Sequence, residues 1–164
     1  MGIYYYYANY DRQLYFPTGL FGDSIKLSGI GRGFAARALA ILLSERGTWA
    51  GDRISVVGDN SLEYERLQTD GIDIEVEAQL LLIDVDGLEE IEKRLDAGSF
   101  LFVRMCEFAT YLKREDVTHM LDTKYGVGKW QRQCAKELTN ATYRSQAEKI
   151  FAAQTRQLKL LREV

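Results

Sequence analysis

The chain is poor in several residue types on which sites and folds commonly depend: its 164 residues include one histidine, one proline and two cysteines. The single histidine, His119, lies in VTHMLD with no nucleophile beside it, so it reads as a surface or half-buried residue and not as a member of a catalytic triad. Cys106 and Cys134 share no metal-ligand spacing with each other or with His119, and they read as buried thiols. At this length a core is stable without disulfides or metals, and no cofactor is expected. No apolar run approaches the ~20 residues that cross a bilayer; the run Phe34 to Leu43 is interrupted by Arg37. Lysine and arginine nowhere cluster, which leaves nucleic-acid binding without an electrostatic footprint. The start of the chain lacks the basic segment and cleavage site of a secretory signal, and Tyr6 stands where a myristoylation signal carries serine or threonine. A soluble, cytoplasmic protein with no membrane partner is the expectation.

The residues that are abundant describe an ordinary globular domain, 46% hydrophobic and 27% charged. The net charge of -3 conceals an asymmetry: residues 61 to 100 hold twelve acids and three bases, residues 101 to 164 twelve bases and seven acids. Mixed-sign helical surfaces account for both. Residues 3 to 16, IYYYYANYDRQLYF, combine strand-forming aromatics with Asn9 and Asp11, which favour turns, and so predict a β-hairpin. Alternation places Tyr5 and Tyr7 on one face and Tyr4 and Tyr6 on the other. Tyr5 and Tyr7 are the candidate interaction surface, since tyrosine often anchors interfaces.

The only proline and five glycines fall within residues 17 to 33, which predict a loop. Phe34 to Arg46 follows as a buried helix, Arg53 to Val57 as a strand. Ile72, Ile74, Val76, Ala78, Leu80 and Leu82 alternate with polar residues, a period of two that predicts a long strand. Leu88, Ile91 and Leu95 suit a short helix that Asp86 would cap, Ser99 a cap for a helix over Phe100 to Lys113, and Val117 to Tyr125 and Lys129 to Leu138 two more. Ala141 to Val164 lacks glycine and proline; Tyr143, Ala147, Ile150, Gln154, Gln157, Leu161 and Val164 recur at spacings of four and three. That stripe docks on the parent domain or forms a homodimer seam. The fold class is therefore α+β: a largely antiparallel sheet with an N-terminal hairpin packed on a buried helix over residues 1–98, and helices over 99–164.

Two segments point to phosphate. In SGIGRGFAARA the glycines precede a helix, where backbone N–H groups face an anion; Lys26, Gly29, Gly31, Arg32 and Gly33 form the candidate ligand site. The spacing Gly-x-Gly-x-Gly lacks the third glycine of the dinucleotide fingerprint. The second segment, LLLIDVDGL, resembles the first motif of haloacid dehalogenase-type phosphatases. That resemblance implies Asp84 as nucleophile and Asp86 as general acid and base. ISVVGDNSLEYERL is similar to the family's late motif, which implies Asp59 and Glu63 as magnesium ligands, and Arg32 stands where the family places a phosphate-neutralising lysine. Here the late motif precedes the first, and Leu88 follows where the family has threonine. Read from the residues alone, Asp84 and Asp86 leave a strand at a turn made by Gly87. DVDGLEE also fails as a calcium loop, its third oxygen ligand and glutamate being out of spacing. A third resemblance, carried by the tyrosine-rich hairpin with Asn9 and by GTWAGDRISVVGD, is to small uncharacterised proteins of bacteria and their viruses, and it implies no established activity.

No complete catalytic constellation emerges. A non-catalytic protein that engages a protein partner is the leading expectation, a binder of a phosphate-bearing ligand such as a nucleotide the second, and a magnesium-dependent phosphatase the third.

Overall fold

The computed structural model describes residues 2–163 and divides into two compact units, Met1–Val85 with Leu158–Val164, and Asp86–Gln157. The end of the chain, from Leu158, belongs to the first unit. The fold is α+β, with eight α-helices and one four-stranded sheet among the described residues. No helix among them is long and apolar enough to cross a membrane.

In the first unit β1 (Tyr5–Asn9) and β2 (Leu14–Pro17) form the predicted hairpin. The turn is held by Asn9, whose side-chain oxygen accepts from the Arg12 N–H at 3.0 Å while its amide donates to Asp52 at 2.8 Å. β3 (Ile54–Gly58) pairs antiparallel with β1, and the two-residue β4 (Ile72–Asp73) pairs parallel with β2, giving the order β3-β1-β2-β4. The sheet is accordingly mixed. One face carries Tyr7 and Phe16, and Phe16 meets the fully buried Trp49. On the opposite face Tyr6, Tyr15 and Tyr64 form an aromatic cluster over Ala8, Val57 and Leu67, with Tyr6 stacked on Tyr64 at 4.7 Å. Tyr64 and Leu67 belong to α2 (Leu62–Asp70), which the Ser61 hydroxyl caps by accepting from the Tyr64 N–H. Burial raises the Tyr6 hydroxyl far above its ordinary value, and the hydrogen bond with Tyr64 adds to the effect.

The helix α1 (Gly33–Leu43) buries Ala35, Ala38, Ile41 and Leu42, a stripe at spacings of three and four, and leaves Arg37, Ala40 and Leu43 exposed. It is amphipathic, where the sequence had pointed to burial all round. The long strand expected over residues 72–83 is instead β4 followed by α3 (Glu75–Asp86). Helix formers fill this segment, the Asp73 carboxylate accepts from the Glu75 N–H at 2.9 Å, and Glu75 and Glu77 place negative charge in the first turn. Val76, Ala78, Gln79, Leu81, Leu82 and Ile83 are all buried, so the segment carries apolar residues around most of its circumference and imitates alternation.

In the second unit α5 (Phe100–Tyr111) is central: every residue from Leu101 to Ala109 is buried, and it packs against α6 (Glu115–Tyr125), α7 (Lys129–Leu138) and α8 (Ala147–Thr155). Ser99 caps α5 as expected, accepting from the Phe102 N–H. The short α4 (Leu88–Glu92) has Gly87, not Asp86, at its N-cap position. Buried charge ties the last helix down. Glu107 pairs with Arg104 through one carboxylate oxygen, and its other oxygen accepts from the Ser145 hydroxyl at 2.9 Å and the Gln146 N–H at 3.0 Å. Arg104 also donates to the Arg144 carbonyl. The continuous helix expected over 141–164 is confined to Ala147–Thr155, and beyond it the chain extends so that Leu161 bridges Gly47 and the Thr48 N–H donates to the Leu160 carbonyl. Val164 lies outside the described residues, and the rest of the stripe on which a homodimer seam was expected does not share one helix face.

Candidate functional site

The sheet has two edge strands, β3 and the two-residue β4, and β3 is the longer. In the β1–β3 ladder the Tyr10 N–H donates to Arg53 and the Asp59 N–H to Tyr4. Antiparallel alternation then directs the backbone groups of Arg53, Ser55 and Val57 inward to β1, and those of Ile54 and Val56 outward. β3 is the first strand in the sheet order, and no hydrogen bond reaches the Ile54 or Val56 N–H from another strand among the described residues. The same register puts Tyr5, Ile54 and Val56 on one face. Val56 is 39% exposed and Ile3 38%, with Tyr5 and Ile54 half-buried. Ile3 reaches this strip too, because its Cγ2 lies 2.9 Å from where a side chain on Gly58 would begin. An open backbone edge is thereby flanked by a strip of apolar surface. Of the two tyrosines expected as an interaction surface, Tyr5 lies on it. Tyr7 does not: it is 2% exposed, and its hydroxyl accepts from the Gly31 N–H at 2.8 Å.

That bond leads to the glycine-rich loop. The start of α1 does offer its N–H groups to an anion, and an anion is already there: the Asp23 carboxylate accepts from the Phe34 N–H at 2.9 Å. Gly33, at φ +71°, is required because a Cβ would fall 2.3 Å from that carboxylate oxygen. Gly29 is buried, and a Cβ there would lie 1.8 Å from the Ser24 carbonyl oxygen. Gly31 gives its N–H to Tyr7. Lys26 and Arg32 are exposed, with no capping role at the helix they precede. The loop's glycines thus serve its own packing, and its positive helix end faces the protein's own carboxylate.

The four acids of the phosphatase resemblance are not gathered. Asp84 and Asp86 sit in the last turn of α3, on a helix where that family has a strand, and Asp84 is exposed. The Asp59 carboxylate accepts from the Tyr4 N–H at 3.2 Å. Glu63 is exposed on α2, beside a cavity of about 200 Å³ that also involves Tyr10, Arg66 and Asp70. Among the described residues no three His, Cys, Asp or Glu side chains stand close enough to hold a metal ion. His119 is exposed on α6.

Two features escaped the sequence. The open edge depends on strand order, which no local pattern encodes, although the strand itself was legible. In the second unit Cys106 and Cys134, buried as expected, line the same cavity. No family model matches the chain, and no curated protein or solved structure was found similar to it.

Proposed function

We propose that the protein is a non-catalytic binding protein whose β3 edge accepts an extended segment of a protein partner. The observation that carries this reading is the outward row of backbone groups at Ile54 and Val56 beside the apolar strip of Ile3, Tyr5 and Val56. An added strand gains affinity from main-chain hydrogen bonds and specificity from alternate side chains, and this edge supplies a place for both. Long apolar edges left open are a hazard that proteins usually blunt with charge or proline. The charges at the two ends of this strand are already engaged, Arg53 with Asp11 and Asp59 with the Tyr4 N–H. A phosphate-bearing ligand at residues 28–33 is the weaker reading, since Asp23 occupies the helix end it would use.

The test selects displayed random peptides on the folded protein and measures their affinity by fluorescence anisotropy for the wild type and for Val56→Pro. Proline removes only an outward N–H and is tolerated at edge strands, so the β1 ladder stays intact. The reading expects alternating apolar peptides, amide shifts at residues 54–58 on binding, and at least a tenfold loss of affinity in Val56→Pro. Peptides that bind the variant equally well, or shifts confined elsewhere, would refute it.

A further inference from the structure

Cys106 lies on α5 and Cys134 on α7, helices that pack together in the second unit. Both side chains line one cavity of about 250 Å³ together with Glu107, Tyr111 and Trp130, close enough that each thiol shifts the titration of the other. A cavity this size admits several water-sized molecules. Exposure separates the two sulfurs: Cys134 is 8% exposed and Cys106 0%, so Cys134 is the one a small reagent meets first. We propose that Cys106 and Cys134 are a redox-active dithiol that hydrogen peroxide, entering the α5–α7 cavity, converts to an intramolecular disulfide, with Cys134 as the attacking and Cys106 as the resolving thiol.

The local chemistry agrees with that order. The Cys106 hydrogen bond lowers Cys134 toward its thiolate, and the nearby Arg104 cation acts in the same direction against burial and Glu107. The same contact, with burial, holds Cys106 protonated. The thiolate is the nucleophile, and the more exposed Cys134 is the thiol that peroxide reaches first. Its sulfur attacks one peroxide oxygen; the O–O bond breaks, the other oxygen leaves as hydroxide and takes up a proton as water, and Cys134 becomes a sulfenic acid. The Cys106 sulfur then attacks the Cys134 sulfur. The S–O bond breaks, and the hydroxyl departs with the Cys106 proton as a second water. Two thiols have lost two electrons to one peroxide, and a dithiol reductant reverses the change.

The experiment treats the folded, reduced protein with a few-fold excess of hydrogen peroxide, quenches it, blocks remaining thiols with an alkylating reagent and measures intact mass. The expected product is a monomer that has lost two hydrogen atoms, carries no alkyl group, keeps its native circular dichroism and regains both thiols with dithiothreitol. In Cys106→Ser the sulfenic acid should persist on Cys134 and be trapped by a 1,3-dione. Wild-type protein that keeps both thiols until it is unfolded, or that yields linked dimers or sulfinic acid, overturns the proposal. Trapping at Cys106 in Cys134→Ser as fast as at Cys134 in Cys106→Ser overturns the assigned roles.

Discussion

Replacing Glu107 with alanine should unfold the helical unit under conditions the wild type survives. The Glu107 side chain is 1% exposed and that of Arg104 4%, so the substitution takes the paired carboxylate away from a guanidinium held out of water. Removing one partner of a buried ion pair costs roughly 3–5 kcal/mol. The Ser145 hydroxyl and the Gln146 N–H lose their acceptor as well, but both lie near the surface and regain water, so little is added. For a unit of about 70 residues each kcal/mol shifts Tm by roughly 4–8 °C, which puts the expected loss above about 12 °C. Urea titration followed by circular dichroism measures it. The combined Arg104→Met and Glu107→Leu variant should recover more than half of the loss, because an apolar pair of similar volume carries no desolvation cost. Glu107→Ala within about 1 kcal/mol of the wild type would refute the reasoning, and so would a double variant as unstable as the single one.

Asp23→Ala should cost about 0.5–2 kcal/mol, the usual value of an N-terminal cap, read as a lowered urea midpoint. Millimolar phosphate should leave the wild-type Tm where a salt control leaves it; stabilisation of the wild type by phosphate would restore residues 28–33 as a ligand site. For Asp52 the effect depends on pH. The Asn9 amide and the Arg12 guanidinium hold its carboxyl below the ordinary range, so its contribution is complete above the unfolded value near pH 4 and is lost as pH falls through the lower folded value. Asp52→Asn should therefore be less stable than the wild type at pH 7, and the gap should close in strong acid; an equal gap at both extremes contradicts the sign.

The elements that the sequence made legible are those decided by local chemistry. The hairpin rests on tyrosines flanking Asn9 and Asp11, α5 on its Ser99 cap, and α7 on glycines at 126 and 128. Where several sides of a helix are buried, periodicity loses its meaning. In α3 buried Val76, Ala78 and Leu82 obey a period of two, while Val76, Gln79 and Ile83 obey the helical one. Composition separates the two, since Glu, Ala, Gln and Leu favour helix and β-branched residues are few. The C-terminal stripe failed for another reason. Thr139, Asn140, Thr142 and Ser145 are residues of turns and caps, and the Asn140 carboxamide accepts from the Thr142 N–H in such a turn. Absence of glycine and proline was therefore no evidence of a continuous helix.

The candidate sites repeat that lesson at the level of chemistry. Glycines before a helix and Asp-x-Asp after an apolar run each name half of an arrangement, and the other half lies far away in the chain. For the glycine loop that half is Asp23, which turns an anion site into an internal cap. For Asp84 and Asp86 it would be a buried parallel strand, and a helix takes its place. The two features with the strongest physical claim on function are the ones whose halves no motif joins. Val56 becomes an edge residue only because β1 takes β2 on its other side. Cys106 and Cys134 become a pair only because α5 and α7 turn those faces together. Neither requires an unusual residue at either position: what sets each apart is a neighbour that tertiary structure supplies.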